Sequence, residues 1–176
     1  EKKEEFAAEQ EAWNNTFEAW SQENPELRKQ WDAFYSDKPT AEVADVEFNA
    51  TDKMATRAAG GKVLNMMVDR YANMVGGSAD LAGPNKTDLK NGNGIYSAEN
   101  PLGRTVEFGI REFAMSALCS GMRLHGGLRP FCATFLVFAD YLRPQLRVAS
   151  LMKLPLIYIF THDSIYEIGR ASCRER

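Results

Sequence analysis

The stretch EFGIREFAMSALCSGMRLHGGLRPFCATFLVFADYLRPQLRVASLMKLPLIYIF occupies residues 107–160 and alternates amphipathic segments with short apolar runs. Apolar residues at helical spacing indicate helices, one of which Pro144 should start, kink or break. The last apolar run is nearly continuous, which fits a strand buried on both faces. Strands that alternate with helices indicate βαβ units and a parallel sheet. The predicted helices are 110–124 and 138–152, and the predicted strands are 128–134 and 154–160.

Upstream of this stretch, apolar residues recur at helical spacing over 56–74 and lead into GGSADL at 76–81. Residues 105–108 are a brief strand candidate. A polar loop rich in Gly and Asn spans 82–103, and loops of this length are usually functional or disordered.

Polar or aromatic clusters follow the strand candidates. Ligands of open α/β sheets bind beyond the carboxyl ends of the strands, so groups far apart in sequence can converge on one pocket. The clusters are residues 78–80, 107–112, 135–141 and 161–163.

The first fifty residues have a different pattern, in which aromatic residues recur on one helical face. Asn24 and Pro25 fit the N-cap and the first position of a second helix. We therefore predict a helical arm or interdomain linker over 1–50 that packs on a partner surface. The aromatic residues are Phe6, Trp13, Phe17 and Trp20.

The last ten residues, EIGRASCRER at 167–176, resemble a translated sequencing-adapter sequence. Such segments are excluded from fold reasoning. We therefore expect the main domain to span 51–166 and the natural protein to continue beyond Tyr166.

Composition excludes several classes of protein. The net charge is −3, from 21 Lys and Arg and 24 Asp and Glu residues, which is not the footprint of a nucleic-acid binder. The sequence has no apolar run of membrane-spanning length and no secretory leader. Its three cysteines lack metal-binding spacing and suit a reducing compartment, so we expect a cytoplasmic protein with no metal site in this chain. P-loop, GxGxxG, HExxH and GxSxG motifs are absent.

Three motifs in consistent order resemble the pyrimidine-binding domain of the transketolase family. They are GGSADLAGPNKT at 76–87, the stretch from EFGIREF to VASLMK at 107–153, and LPLIYIFTHDS at 154–164. The resemblance implies a thiamine diphosphate-binding fold, which is a three-layer α/β sandwich with a parallel sheet, here preceded by the helical arm. LHGGLRPF, TFxxFxxY and THDS resemble transketolase or its relative dihydroxyacetone synthase, whereas deoxyxylulose phosphate synthase fits less well.

Glu112 matches the catalytic glutamate of that family. The resemblance implies that it hydrogen-bonds N1′ of the cofactor's pyrimidine and so helps the cofactor to lose its C2 proton. An exposed glutamate would be ionised and solvated, whereas burial beside aromatic rings favours the protonated form. Spacing alone favours a different interpretation, in which Arg111 and Glu112 are surface charges at a helix start, where the dipole favours Glu.

Phe135, Phe138 and Tyr141 match the family's aromatic wall around the aminopyrimidine. They lie three apart, so they share one side of a helical or 3₁₀ turn. Without the resemblance, core packing would be the interpretation. Asp80 matches a family aspartate near the cofactor, and a capping or loop-fixing role for it stays open.

Arg57 and His162 match positions that the family uses to hold the sugar phosphate. Arg offers a fixed charge and forked donors, and His can donate and titrates near neutral pH. Pro84 stands where the family commonly has a phosphate-binding Ser, so one phosphate contact is lost or supplied elsewhere.

The resemblance implies a piece of a transketolase that transfers a two-carbon ketol unit from a ketose phosphate to an aldose phosphate in the pentose phosphate pathway. The cofactors would be thiamine diphosphate and Mg²⁺, with the Mg²⁺ ligands in a diphosphate-binding domain outside this chain. The partners would be sugar phosphates and a second copy in a homodimer, with the cofactor at the subunit interface, and the isolated piece would be inactive. The alternatives are dihydroxyacetone synthase or another thiamine diphosphate enzyme, and a nonenzymatic phosphosugar-binding or dimerisation module.

Overall fold

The computed structural model describes residues 2–36 and 38–163 of the chain. The segment 167–176, with Cys173, lies outside the described residues. The chain divides into two compact units, Glu1–Lys38 and Pro39–Arg176. No helix in the described part is both long enough and apolar enough to cross a membrane.

The first unit is a pair of helices, α1 (Lys2–Glu23) and α2 (Pro25–Tyr35). Pro25 is the first residue of α2, as predicted. The Asn24 side chain makes no capping hydrogen bond to α2 and instead donates from Nδ2 to the Trp20 carbonyl at 3.0 Å. The break between the helices is therefore fixed by the proline rather than by a side-chain cap.

Aromatic rings pair the two helices. Phe17 stacks on Trp13, with ring centroids 4.9 Å apart, and lies 5.2 Å from Trp31 of α2. Trp31 in turn stacks on Tyr35 at 5.0 Å. Phe6, which the sequence placed on the same face, is exposed.

The second unit is built on one parallel sheet, as the sequence predicts, and the strands lie in the order β1 (Met74–Ser78), β2 (Arg129–Phe135) and β3 (Ile157–Thr161). Phe131 of the central strand pairs with Gly76 on one side and with Ile157 on the other. In chain order the elements are α3 (Thr56–Arg70), β1 (Met74–Ser78), α4 (Ala82–Asn85), α5 (Glu112–His125), β2 (Arg129–Phe135), a 3₁₀ turn (Leu136–Phe138), α6 (Ala139–Leu151) and β3 (Ile157–Thr161).

Apolar side chains fill both faces of this sheet. Successive residues of a strand point to opposite faces, and Phe131 and Cys132 belong to different core clusters. Phe131 packs with Val68 of α3, whereas Cys132 packs with Met115 of α5 and Leu142 of α6. Helices cover both faces, so the unit is the predicted three-layer α/β sandwich.

One predicted boundary and one strand candidate are wrong. The helix expected over 56–74 ends at Arg70, because Met74 is buried in the sheet as the first residue of β1. The strand candidate 105–108 is not a strand, since Thr105 forms only isolated bridges to its neighbours on both sides.

One further expectation fails in β3. Its residues are mostly half-buried rather than buried on both faces, whereas β1, the other terminal strand of the described sheet, is buried throughout. Pro144 lies inside α6, so it neither starts nor breaks the helix, although it removes one backbone donor.

Gly77 allows the loop before α5 to lie directly on β1. A Cβ at Gly77 would lie 2.1 Å from the carbonyl oxygen of Val106. The Val106 N–H donates to the Gly76 carbonyl at 2.9 Å. This close approach places Ser78 and Glu107 at the same edge of the sheet, where they line one cavity.

Candidate active site

The carboxyl ends of the three strands meet at one edge of the sheet. Ser78 ends β1, Phe135 ends β2 and Thr161 ends β3, with Phe135 and Thr161 paired in register. Three of the four predicted clusters begin or end at these residues, so the parallel sheet brings them to one edge as expected. The fourth cluster, 107–112, follows no strand.

A buried polar network joins the ends of β1 and β3. Asn85 donates from Nδ2 to Ser78 Oγ at 3.0 Å, and Ser78 Oγ lies 2.7 Å from Thr87 Oγ1. On its other side, Asn85 Oδ1 accepts from Thr161 Oγ1 at 2.5 Å. Thr161 Oγ1 also lies 2.8 Å from His162 Nδ1.

Sequence reasoning missed Asn85 and Thr87, which are each only 1% exposed. They lie at the end of α4 and just beyond it, on either side of Lys86, whose φ of 61° is left-handed. The only sequence signal was their position inside the motif GGSADLAGPNKT.

A chain of ring contacts extends from this network. The Phe135 ring lies 3.9 Å from the His162 ring and stacks on Phe138 at 5.9 Å, with an interplanar angle of 9°. The Phe138 ring lies 6.2 Å from Tyr141. Phe135 is buried, whereas Tyr141 is 65% exposed. The predicted aromatic cluster and His162 are therefore brought together, with Tyr141 at its exposed end.

Glu112 is the first residue of α5 and is 7% exposed, which excludes the interpretation as a surface charge. Within the described residues its carboxyl group has no hydrogen bond or ion pair. A buried carboxyl without a partner is costly, although the N-terminus of α5 favours a negative charge. Glu112 is thus a buried titratable group that the described chain does not satisfy.

Asp80 is exposed and has a φ of 59°, a conformation that Asp tolerates better than most residues. It lines a cavity of about 390 Å³ together with Ser78, Thr105 and Glu107. Because Asp80 and Glu107 each contribute a carboxyl group to its lining, we call this the acidic cavity.

Arg57 lies beside the Asn85 and Thr161 end of the network, whereas Asp80 lies beside Ser78. It lines a second cavity, of about 310 Å³, together with Lys86, Asn85 and Thr161. The two cationic side chains outnumber the one carboxyl group of the lining, that of Asp163, and with the hydroxyl groups beside them they suit an anion such as a phosphate. His162, with a φ of 58°, directly follows Thr161. Pro84 is exposed and does not line this cavity.

The structure does not gather all the predicted residues into one enclosed cavity. Glu112, Phe135 and Phe138 line neither of these two cavities within the described chain. The described residues also contain no group of three or more His, Cys, Asp or Glu side chains that could hold a metal ion.

Comparison with known proteins identifies relatives of the chain. Residues 52–172 match the family model described as transketolase, pyrimidine binding domain. Transketolase of Treponema pallidum (strain Nichols) is 48% identical over 162 residues, which cover 89% of this chain and 24% of that protein. Transketolase of Bacillus subtilis (strain 168) is 47% identical over 155 residues, which cover 87% of this chain and 23% of that protein.

Solved structures agree with the sequence comparison. A crystal structure of Pichia stipitis transketolase in complex with sedoheptulose 7-phosphate matches with a TM-score of 0.82 and 29% identity, covering 92% of this chain and 25% of that chain. Transketolase of Campylobacter jejuni matches with a TM-score of 0.74 and 34% identity, covering 86% of this chain and 23% of that chain. The chain thus spans about a quarter of the length of the relatives that it matches.

Proposed function

The chain belongs to the transketolase family as its pyrimidine-binding domain, and on that premise we propose that the whole protein transfers a two-carbon ketol unit from a ketose phosphate to an aldose phosphate. The chain would supply the pyrimidine side of a thiamine diphosphate site. The observation that carries the proposal is Glu112, a buried carboxyl group in the family's motif EFGIREF that has no partner among the described residues.

Glu112 would hold a proton at N1′ of the cofactor's pyrimidine. The N-terminus of α5 fixes the start of its side chain, and burial keeps water from competing for the carboxyl group. When bound, thiamine diphosphate would supply the carbon nucleophile that the amino acids themselves lack. The work of the protein is then to orient the ring and to hold one proton at one atom.

The ring contacts support a place for the aminopyrimidine. Phe135 and Phe138 are nearly parallel, so their faces and edges offer a flat apolar surface for a third ring. Tyr141, which is largely exposed, extends this surface outward. Asp80 would lie near the cofactor at the rim of the acidic cavity.

The cationic cavity supports a place for the sugar phosphate. Arg57 would bind phosphate oxygens with its forked donors, and His162 would add a further contact. Lys86 lines the same cavity and could replace the contact that Pro84 cannot make. The Pichia stipitis relative was crystallised in complex with sedoheptulose 7-phosphate, which is a sugar phosphate.

The assembly is also part of the proposal. We expect a helical arm over 1–50, the domain over 51–166 and an adapter-derived tail over 167–176, in a cytoplasmic enzyme of the pentose phosphate pathway. Mg²⁺ would be bound by a diphosphate-binding domain outside this chain. Exposed apolar side chains on α5, including Phe113, Leu118 and Leu124, support a homodimer with the cofactor at the subunit interface.

An assay of the full-length protein tests the proposed reaction. With thiamine diphosphate and Mg²⁺ present, we expect ketol transfer from a ketose phosphate to ribose 5-phosphate, and we expect none from the 176-residue chain alone. Omission of the cofactor is the control. Transfer to formaldehyde in preference to ribose 5-phosphate would assign the protein to dihydroxyacetone synthase, and no transfer to either acceptor would contradict the proposal.

A further inference from the structure

The hydrogen bonds of the buried network can be assigned one common direction from the hydrogens that each group carries. A Ser or Thr hydroxyl carries one hydrogen and can accept on its remaining lone pairs. Ser78, Asn85, Thr87 and Thr161 are all at most 5% exposed, so they bond to each other rather than to bulk water.

The Ala82 carbonyl lies at one end of the network and can only accept a hydrogen bond. Thr87 Oγ1 donates its single hydrogen to this carbonyl at 3.4 Å. With Ser78 as the donor of the 2.7 Å bond to Thr87, the hydrogen of Thr87 is left for the Ala82 carbonyl. With its own hydrogen used, Ser78 can only accept from Asn85, so Asn85 turns its NH₂ group toward Ser78 at 3.0 Å.

This orientation of Asn85 determines the other end of the network. The amide oxygen of Asn85 faces Thr161, and an amide oxygen only accepts. Thr161 Oγ1 therefore donates its single hydrogen to Asn85 Oδ1, and the two oxygen atoms lie 2.5 Å apart. The 2.8 Å contact between Thr161 Oγ1 and His162 Nδ1 can then be a hydrogen bond only if Nδ1 carries the hydrogen and donates it.

We propose that Asn85 and Thr161 are positioning residues that hold neutral His162 in the tautomer with the hydrogen on Nδ1. The hydrogen bond made by one ring nitrogen decides the state of the other, so Nε2 of the neutral ring carries a lone pair. The Phe135 ring also packs against the imidazole, with ring centroids 3.9 Å apart and an interplanar angle of 34°.

The consequence for the ligand rests on the proposed function of His162. In this tautomer Nε2 cannot donate to a phosphate oxygen until the ring gains a second proton. Recognition of a sugar phosphate through Nε2 therefore includes uptake of a proton, from solvent or from the phosphate monoester itself. A histidine in the opposite tautomer would donate from Nε2 without that uptake.

Nitrogen NMR of the full-length protein tests the tautomer directly, without substrate. The protein is labelled with ¹⁵N-histidine, and the His162 signals are assigned by their loss in His162→Gln. We expect a protonated, pyrrole-type Nδ1 and an unprotonated, pyridine-type Nε2 at a pH where the ring is neutral. The opposite pattern, or fast exchange between the two tautomers, would overturn the proposal.

Variants separate positioning from general stability. Thr161→Val removes the hydroxyl and should lose the fixed tautomer, whereas Thr161→Ser should keep it. Thr134→Val is the matched control, because Thr134 is fully buried on the adjacent strand and its Oγ1 has no hydrogen-bond partner within the described residues. A Thr134→Val effect on the His162 signals equal to that of Thr161→Val would count against a specific network.

Kinetics then distinguish this inference from the proposed function. His162→Ala should raise the KM for the sugar phosphate by about tenfold, which corresponds to the loss of one hydrogen bond to a charged group, with kcat retained. If the NMR shows the Nδ1 tautomer but this KM does not change, the tautomer assignment stands and the proposed phosphate contact of His162 is wrong.

Discussion

At the scale of single residues, the side of the sheet that faces α5 holds buried groups kept in their neutral forms. Contact with the Cys119 thiol, together with burial, raises the pKa of Cys132 well above its ordinary value. Burial likewise raises the pKa of Tyr158, although the bond to Ser116 at 2.8 Å partly offsets this effect. Both thiols are buried, and the raised pKa of Cys132 keeps that thiol uncharged, which suits packing rather than reactivity.

The raised pKa of Tyr158 predicts a loss of stability at high pH. Because the folded pKa lies above the unfolded one, the stabilisation is complete below the unfolded value of about 10 and is lost as the pH rises through the folded value. Urea unfolding should show a free energy of unfolding that falls above about pH 10, and Tyr158→Phe should reduce that slope. Tyr96→Phe, at an exposed tyrosine, is the control. Equal slopes in the wild type and Tyr158→Phe would refute the assignment.

Among the elements, α3 lies close to the turn that follows α4. A Cβ at Gly61 would lie 2.7 Å from the carbonyl oxygen of Lys86 and 2.8 Å from its Cβ, whereas a Cβ at the adjacent Gly60 would meet nothing within 4 Å. The approach of α3 at Gly61 sets the position of Arg57 relative to Asn85 and Thr161, with which it lines one cavity.

This contact predicts opposite effects of two neighbouring substitutions. Gly61→Ala should lower the free energy of unfolding by about 1–3 kcal/mol, because the methyl group has to displace backbone atoms. Gly60→Ala should raise it by about 0.5–1 kcal/mol, because Ala has fewer unfolded conformations and favours the helix. Urea unfolding followed by far-UV circular dichroism measures both. Equal effects of the two substitutions would show that α3 does not approach Lys86 as described.

The helices and strands also show which parts of the structure can be predicted from the sequence. Periodicity predicts α5, β2 and α6 to within a few residues, because each buries one regular stripe or run. It fails at 105–108, because the two bridges of Thr105 depend on neighbours from separate parts of the chain. It could not find Asn85, whose role depends on Thr161, a residue 76 positions away. The catalytic role assigned to Glu112 came from resemblance, since spacing alone favours a surface charge.

At the scale of the whole second unit, Arg104 ties the long loop to the end of α3. Its guanidinium donates to the carbonyls of Val68, Tyr71 and Ala72 and to that of Asn91 in the loop. Desolvation lowers its pKa, but the group stays charged, as arginines do in proteins. One side chain thus satisfies carbonyl groups that the helix and the loop leave open.

Removal of this tie should destabilise the unit as a whole. Arg104→Met should lower the free energy of unfolding by about 1.5–3 kcal/mol, because it leaves several carbonyls without a charged donor. Arg143→Met is the matched control, since Arg143 is 76% exposed in a surface ion pair with Asp140 and should change stability by about 0.5 kcal/mol or less. Comparable losses in the two variants, measured by urea unfolding, would argue against a structural role for Arg104.

The most direct measurement compares turnover and stability in Glu112→Gln of the full-length protein. The account predicts that kcat for ketol transfer falls at least about 100-fold, because Gln cannot carry the proton. The free energy of unfolding should change by less than about 1 kcal/mol, since the side chain keeps its shape. Glu42→Gln, at an exposed glutamate, should change neither quantity. A Glu112→Gln enzyme with near-normal kcat would contradict the account.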